Sequence, residues 1–405
     1  MAKTTALVYY IYMATTVTTS TSWFSRLGSS VKNVFFGFLL ISISVILLFW
    51  NEGRTVATNQ SLKEGASFVV SVSSETRDVT NEGKLIHFSG LARTPSILTD
   101  IDFGVSSSAL KLRRTVEMYQ WIEESDSKTV EKLGGGRDTT TTYTYKKDWS
   151  NDVIDSANFQ EKEAHQNPTG KKYDDKEWLA QNVSVGAYTL KEELIKNLSG
   201  YLPLTLTQEM LNTLPYAKQQ ELELVGSMIY SQTNDTSMPE IGNTRIRYEI
   251  IVPQTVSVIA KQTGDTLMPF ITKNGRTISM IQLGDRSAAE MFAGAVANNK
   301  TVTWLLRGLG LILMYIGFTM VFGVLPIIAS IVPFIGRMIG ASISMLSFGL
   351  TLIVGSITIA MAWLVYRPIV SILILGFGAL GVILLSKTSK KPAIDRSSII
   401  DCNPT

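Results

Sequence analysis

The chain has almost none of the residues on which cysteine or histidine chemistry depends. Its 405 residues include one cysteine, Cys402, and two histidines, His87 and His165. The region from 51 to 300 contains no cysteine, so it has neither a disulfide nor a thiolate metal site. Neither histidine has a second histidine at ligand spacing, so zinc chemistry is not expected. The sequence predicts no metal and no cofactor.

Charge of one sign and catalytic motifs are equally scarce. The formal net charge of +3 is small, and no basic stripe runs along the chain, so nucleic acid is not expected as a partner. No nucleophile-elbow serine, zinc-protease or P-loop pattern occurs. Acid pairs such as Asp174-Asp175 are typical of solvated loops. We therefore expect that the protein is not an enzyme.

Long apolar segments are what the chain does have, and four of them predict transmembrane helices. The first, 34–50, stands alone near the N-terminus and would be about 26 Å long as a helix, close to the about 27 Å core of a reticulum bilayer. The other three follow residue 300. Their predicted bounds are 309–325, 341–366 and 368–385. Segment 326–340 is too short to cross and too apolar for a free loop, which predicts an interfacial or re-entrant connector.

The distribution of basic residues predicts the orientation. Arg26 and Lys32 precede the first span, and Lys387, Lys390 and Lys391 follow the fourth. The positive-inside rule places both ends in the cytosol or nucleoplasm. Residues 1–33 are then a cytosolic or nucleoplasmic tail, expected to be disordered, and residues 386–405 are a cytosolic tail. Residues 51–300 form a lumenal domain.

Within residues 51–300 the signals for strands and helices are mixed. Lys111–Ile122 alternates between apolar and polar residues and predicts a half-buried strand. Gly264-Asp265 predicts a hairpin turn. The spacings Thr189 to Glu192 and Ser287 to Glu290 predict capping boxes, each opening a helix. Glycines at 134–136 begin a stretch, to 142, that is expected to be a flexible loop. The fold class is an α+β lumenal domain plus four transmembrane helices, one N-terminal and three C-terminal.

Several sequons in the lumenal region are candidates for glycosylation. Chance alone produces a few in a region of this length, so they permit a lumenal assignment without proving it. The candidate acceptors are Asn59, Asn182, Asn197 and Asn234.

Small residues within the C-terminal spans are candidates for helix packing, because they let two helix backbones approach closely. They are Ser344, Ser347, Thr351, Gly355 and Thr358 in the third span, and Gly376, Gly378 and Gly381 in the fourth. A transporter path along the third span is the alternative. The spans contain no Asp, Glu, Lys or His, which are the usual mark of ion or proton coupling, so packing is the favoured interpretation.

The order of these segments and several strings resemble the LUMA (transmembrane protein 43) family over roughly residues 35–385. The strings that carry the resemblance include Asn51-Glu-Gly-Arg54, Lys111-Leu-Arg-Arg-Thr-Val-Glu-Met-Tyr-Gln-Trp121, His165-Gln-Asn-Pro168, Gly284-Asp-Arg-Ser-Ala-Ala-Glu290 and Trp363-Leu-Val-Tyr-Arg-Pro368. The resemblance implies residence in the endoplasmic reticulum and inner nuclear membrane, self-association, and partners such as lamins or emerin. It implies no catalytic residues. The first 30 residues and the tail after Lys391 have no match in the family pattern.

Together these expectations describe a multi-pass scaffold of the endoplasmic reticulum and inner nuclear membrane. It would organise the nuclear envelope or membrane protein complexes through self-association, with membrane lipids, further copies of itself and nuclear-envelope proteins as partners. Two alternatives stay open at this point: a channel or transporter, and a membrane-tethered lumenal domain that binds lipid or acts as an enzyme.

Overall fold

The computed structural model describes residues 14–231, 236–369 and 371–372. The chain divides into two compact units. The first consists of the residues up to Ser30, Ala57–Asn299 and Val324–Gly340. The second consists of Val31–Val56, Lys300–Gly323 and the described residues from Ala341 onward.

The strands belong to the first unit. In chain order they are β1 (Ala14–Thr21), β2 (Val70–Ser71), β3 (Leu85–Arg93), β4 (Leu98–Asp100), β5 (Val105–Ser107), β6 (Lys111–Glu131), β7 (Arg137–Ser150), β8 (Lys176–Leu179), β9 (Val183–Val185), β10 (Tyr188–Leu190), β11 (Leu202–Pro203), β12 (Leu222–Val225), β13 (Met228–Ser231), β14 (Thr244–Ile251), β15 (Thr255–Thr263), β16 (Thr266–Met268), β17 (Phe270–Ile271), β18 (Thr277–Ile278) and β19 (Met280–Leu283).

The short helices lie in the first unit, whereas each long helix contributes residues to both units. They are α1 (Trp23–Phe68), α2 (Glu192–Lys196), α3 (Gln208–Asn212), α4 (Tyr216–Gln219), α5 (Ala288–Phe322), α6 (Val324–Ala329) and α7 (Pro333–Tyr366). Helices α1 and α7, and α5 together with α6, are long and apolar enough to cross a membrane. The described residues thus contain three candidate spans, one N-terminal and two C-terminal, and the predicted span 368–385 lies almost wholly outside them.

Two sheets enclose the main core of the first unit. The larger has the strand order β1-β7-β6-β14-β13-β12, with β8 and β11 at its side, and the other has the order β19-β15-β16-β10-β9-β3-β2. Apolar side chains of both sheets meet in one buried cluster, to which α2 and α3 add Leu194, Ile195 and Leu211. The mixture of helix and sheet confirms the α+β class. Strand β6 pairs with β14 over Lys111–Met118 and then continues with β7 as a long hairpin to Glu131.

Several local predictions are confirmed. The predicted strand at Lys111 exists as β6 and runs further than its alternating pattern. Gly264-Asp265 joins β15 to β16, with Thr263 opposite Thr266. At the start of α5 the Glu290 carboxylate accepts the Ser287 backbone N–H at 2.8 Å, and the Ser287 hydroxyl accepts the Glu290 N–H at 3.3 Å. This is the predicted capping box.

Other local predictions are wrong. Thr189 lies in β10, paired with Ser184, and α2 begins at Glu192 without a side-chain cap. The loop expected to reach residue 142 ends at residue 136, where β7 begins. Its run of threonines is β-branched and fits the pleated surface that β6 offers. The turn consists only of residues 132–136.

The disordered tail expected over 1–33 is wrong for residues 14–33, and residues 1–13 lie outside the described ones. Ala14–Thr21 pairs along its whole length with β7. Ser22 then caps α1 by accepting the Ser25 backbone N–H at 3.2 Å. The Thr/Ser run is polar, which suggests a tail, but it is also β-branched, and a neighbouring strand edge is sufficient to order it. The connector 326–340 is divided between α6 and the start of α7.

Candidate functional site

The best-defined polar site of the second unit lies at one end of its long helices. Glu52, from α1, has no solvent-exposed surface. One of its carboxylate oxygens accepts the Arg307 Nε–H of α5 at 2.6 Å, and the other accepts the indole N–H of Trp363 in α7 at 2.8 Å. A single buried carboxylate therefore joins three helices. We call Glu52, Arg307 and Trp363 the carboxylate cluster.

Neighbouring residues of α1 complete the junction with α5. The Asn51 amide donates to the Thr303 carbonyl at 3.1 Å. The Arg54 guanidinium donates to the Thr303 hydroxyl at 3.1 Å, and the Thr55 and Thr303 hydroxyls lie 2.7 Å apart. Buried polar groups cost free energy unless they are paired, and these are paired with one another. The junction is thus a satisfied hydrogen-bond network.

Gly53 is a point of close approach between α1 and α7. A Cβ at this position would lie 2.6 Å from the Tyr366 ring. Phe49, one turn earlier, places its ring 5.5 Å from the ring of Tyr366, centroid to centroid. Each residue of the string Asn51-Glu-Gly-Arg54 therefore has a partner or a close contact in this unit, and that accounts physically for a string singled out above only by resemblance.

Sequence reasoning missed the carboxylate cluster. Glu52 and Arg307 are 255 positions apart, and each looked like an isolated charge beside an apolar segment. One available signal was the position of the two charges. Glu52 follows the first predicted span and Arg307 precedes the second, so both lie at the ends of the spans that border the domain. The structure shows that these two opposite charges are partners.

The small residues of α7 are placed unequally. Ser347, Thr351, Gly355 and Thr358 are buried, whereas Ser344 is exposed. A Cβ added to Gly355 would lie 2.5 Å from the Leu311 side chain of α5. The hydroxyls of Thr351 and Thr358 donate to carbonyls one turn earlier in their own helix. Gly376, Gly378 and Gly381 lie outside the described residues.

Three glycines of α1 and α5 that were not singled out make equally close contacts. A Cβ on Gly37 would lie 2.7 Å from the Gly317 carbonyl oxygen, and one on Gly317 would lie 2.7 Å from the Ile41 side chain. A Cβ on Gly310 would lie 2.7 Å from Leu48. The packing of the first span against the second thus depends on these three glycines.

The candidate glycosylation sites differ in accessibility. Asn182 is exposed in the turn between β8 and β9, with a φ of 53°. Asn197 is exposed at the end of α2. Asn59 is half-buried in α1, and its side-chain oxygen accepts a hydrogen bond from Asn299 at 3.0 Å. Asn234 lies outside the described residues.

A second buried polar cluster lies in the core of the first unit. Arg114 Nη1 and the Tyr248 hydroxyl both lie 2.6 Å from one oxygen of Asp100. Burial, reinforced by the nearby Asp100 charge, raises the pKa of Tyr248 well above its ordinary value, so the hydroxyl stays protonated and donates. No group of three or more potential metal-ligating side chains occurs within residues 14–231 and 236–372. His87 and His165 lie apart in separate hydrogen-bonded settings, on Arg286 and Glu161.

Comparison with known proteins gives one consistent family. A family model described as transmembrane protein 43 matches residues 118–368. The chain is 32% identical to human transmembrane protein 43 over 376 residues, which is 90% of this chain and 91% of that protein. It is 31% identical to the mouse protein, with the same coverage. A transmembrane protein 43 homolog of Drosophila melanogaster is 29% identical over 85% of this chain and 91% of its own. No solved structure matches the chain.

Proposed function

Because the chain belongs to the transmembrane protein 43 family, we propose that it is a membrane scaffold of the endoplasmic reticulum and inner nuclear membrane. It organises the nuclear envelope or membrane protein complexes by associating with further copies of itself. The proposal includes no catalytic step, no cofactor and no nucleic acid. Lamin-like or emerin-like proteins are its proposed partners at the nuclear envelope, on the basis of the family resemblance.

The observation that supports the scaffold proposal is that buried polar side chains of the long helices pair with one another. Within the carboxylate cluster and within the Thr303 network, donors and acceptors from different helices form hydrogen bonds with one another. Transport sites generally keep ionisable side chains facing a water-filled path. Here the ionisable side chains of the cluster hold helices together, which suits a protein whose task is to present fixed surfaces.

The proposed orientation has four spans, with the fourth at 368–385. Both termini face the cytosol or nucleoplasm, and the body of the domain between the first two spans faces the lumen. The basic residues that flank the first and last spans support this orientation. The buried residues Ser347, Thr351, Gly355 and Thr358 form the packing face of α7 within this arrangement.

The experiment that tests self-association is blue-native electrophoresis after extraction in a mild detergent. We expect a discrete band larger than the monomer, at the same position when the protein is diluted before loading. A strictly monomeric band contradicts the scaffold proposal.

Location is tested on the same protein by immunofluorescence of a C-terminal tag. After digitonin, which opens only the plasma membrane, we expect staining of the reticulum. Staining of the nuclear rim should increase once the nuclear membranes are also opened.

A further inference from the structure

A polar ribbon of three strands extends from the larger sheet of the first unit. It consists of β1, β7 and the part of β6 from Ile122 to Glu131, and we call it the ribbon. Strand β6 pairs with β7 as far as Glu131 opposite Arg137. Strand β1 pairs with the other side of β7, from Ala14 opposite Thr144 to Thr21 opposite Arg137. The ribbon thus has two outer edges, one on β6 and one on β1.

The outer edge of β6 has no strand partner in the part of the chain that the structure describes. Strand β14 pairs with β6 only as far as Met118. The Asn167 side chain then pairs both backbone groups of Trp121, at 2.7 and 3.0 Å. Backbone groups of alternate residues point to the same side of a strand, so the next ones to point outward are those of Glu123, Ser125, Ser127 and Thr129. An unpaired edge of this kind is a template for another strand.

The far end of the ribbon is fixed to two other segments of the first unit. Arg26, at the start of α1, is buried and donates to the Gly135 carbonyl and to the Glu131 carboxylate, the latter at 3.1 Å. The Gly134 N–H donates to the Ile331 carbonyl at 3.0 Å. The Trp23 indole donates to the Ile327 carbonyl at 2.8 Å. The turn at 132–136 therefore lies beside the start of α1 and the connector between α6 and α7.

This placement has a consequence for the membrane, and the step rests on the orientation proposed above. In that orientation residues 14–30 and 324–340 lie on the side of the termini, while the body of the domain is lumenal. The ribbon joins the two sides. The ten residues Ile122–Glu131 span about 33 Å as a strand, against about 30 Å for the hydrocarbon core. Backbone groups left unpaired at that depth cannot face lipid.

Charge selects the strand that can cover the free edge of β6. Ile122–Glu131 carries four acids, Glu123, Glu124, Asp126 and Glu131, and one base, Lys128. With four acids and one base, each such strand has a net charge of −3, so pairing this edge with the same edge of another copy would bring like charges together, which is unfavourable. Strand β1, in contrast, has no charged residue, and its outer edge also has no strand partner among the described residues. Its threonines suit a strand.

We propose that the outer edge of β6 pairs with the outer edge of β1 from a second copy of this chain. Each copy then offers one edge of each kind, so the contact is heterologous and closes when copies form a ring. The ribbon is in this way the self-association surface of the scaffold, and pairing with neighbouring copies satisfies backbone groups that would otherwise face lipid.

The test uses disulfide formation in native membranes, in a Cys402→Ser background that contains no other cysteine. Val17 and Ser127 both lie opposite Thr141, on either side of β7. Two strand spacings separate them by about 9–10 Å within one chain, beyond the about 7 Å limit for a disulfide. A bond between Val17→Cys and Ser127→Cys must therefore join two copies. We expect a reductant-sensitive ladder of dimers and larger species from the double variant, and monomers from each single variant.

Two matched controls make the result decisive. Ser127→Cys with Thr141→Cys lies on adjacent strands, whose hydroxyls are 2.9 Å apart, and should close within one chain. Val17→Cys with Tyr216→Cys, which is exposed on α4, should stay monomeric. If the unmodified protein is oligomeric and the adjacent-strand control closes, but the Val17/Ser127 pair stays monomeric, the edge pairing is wrong. A dimer from Ser127→Cys alone also overturns it, since it shows that β6 pairs with β6.

Two further readouts separate this inference from the proposed function. If the unmodified protein is oligomeric on native gels but the ladder is absent, copies associate through another surface, and only the edge pairing fails. If the unmodified protein is monomeric, the scaffold proposal itself fails. Leu133, which is 87% exposed in the turn, tests the crossing. Leu133→Cys should react with an impermeant maleimide added outside sealed microsomes, and protection there overturns the crossing.

Discussion

The two units bury opposite kinds of side chain. In the first unit the interior is an apolar cluster of two sheets, within which Asp100, Arg114 and Tyr248 form a polar exception. In the second unit the buried side chains are mainly polar or small, such as Ser44, Asn51 and Thr303, and large apolar side chains such as Phe35 and Leu309 are exposed. A soluble fold gains stability by removing apolar surface from water, whereas helices in lipid gain nothing from apolar contact and rely on close packing and polar pairing.

The same chemical group illustrates the difference. Asp100 and Glu52 are both fully buried carboxylates, and each has an arginine partner at 2.6 Å and a second donor from an aromatic ring. Asp100 is surrounded by an apolar core that would hold the sheets together without it. Glu52 is itself one of the main links among its three helices. Substitutions at these two sites can therefore distinguish a buried charge that the apolar core tolerates, at Asp100, from a buried charge that holds helices together, at Glu52.

The largest expected effect is that of Arg114→Met. This change leaves Asp100 buried without its cation, which should lower the free energy of unfolding of the domain by about 3–5 kcal/mol. Pulse proteolysis along a urea series in detergent measures this. The double variant Asp100→Asn with Arg114→Met removes both charges and should recover most of the loss.

Arg113 provides the control for that prediction. It is the adjacent residue on β6, and its partner Glu249 lies at 2.6 Å, but its side chain is 41% exposed. Exposed ion pairs contribute little, so Arg113→Met should cost less than about 1 kcal/mol. Equal losses at positions 113 and 114 would mean that burial of the charge is not what makes Arg114 important, and the comparison between the two carboxylates would fail.

The second prediction concerns Glu52→Gln, and its expected effect is smaller. The amide keeps an acceptor for the Trp363 indole but removes the charge that pairs with Arg307. Arg307 retains 13% exposure, so it can turn toward water or head groups, and the loss should be about 1–3 kcal/mol. Thermal loss of ellipticity at 222 nm reports mainly on the long helices and should move to lower temperature. Trp363→Phe, which removes the indole hydrogen bond but leaves the Glu52–Arg307 pair, should move it less.

This second prediction also tests whether the two units are energetically separate. Arg114→Met should not change the temperature at which the ellipticity at 222 nm is lost. Glu52→Gln should not change the resistance of the domain to pulse proteolysis. Sites that share no partners usually act independently. If either variant shifts both measurements equally, the units unfold as one, and the contrast between their interiors has no consequence for stability.

What the sequence could predict is what depends on neighbouring residues. The apolar runs indicate three of the helices, the alternation at Lys111–Ile122 indicates β6, and Ser287 to Glu290 indicates the start of α5. These features depend on periodicity or on a cap within one turn. Thr189 shows the limit of such rules. It has the same spacing to Glu192 as a capping residue, but it lies in a strand and pairs with Ser184.

The features that the sequence could not predict depend on partners that are distant along the chain. Ala14–Thr21 is a strand only because β7 lies beside it, more than a hundred residues further along the chain. Glu52 and Arg307 could be recognised as charges, but not as a pair. Gly37 and Gly317 meet because two helices cross at that point, and a glycine in an apolar run has no local sign that it is a crossing point. Sequence reasoning therefore found the spans and missed what joins them.

The smallest expected effect on stability, and the sharpest test of which side the domain faces, comes from the sequons. Asn182 and Asn59 have the same acceptor pattern in different settings. Asn182 lies in an exposed turn, while Asn59 lies within α1 with its side chain bonded to Asn299. An oligosaccharide needs an accessible side chain, so in a eukaryotic cell we expect a glycan at Asn182 and none at Asn59. Digestion with an endoglycosidase, followed by electrophoresis, measures this as a gel shift.

Substitution identifies the acceptor and gives the outcome its meaning. Asn182→Gln should abolish or reduce the shift, and Asn59→Gln should leave it unchanged. Each variant should lose about 1 kcal/mol of stability at most, because Asn182 has a positive φ and Asn59 has a partly buried hydrogen bond. A shift that depends on Asn182 places the β8–β9 turn in the lumen. That result, combined with labelling of Leu133→Cys from the cytosolic side, would put two ends of one domain on opposite faces of the bilayer, as the ribbon requires. If no shift occurs and protease added outside sealed microsomes degrades residues 57–299, the domain faces the cytosol. The proposed orientation is then wrong, and the ribbon would cross the membrane in the opposite direction.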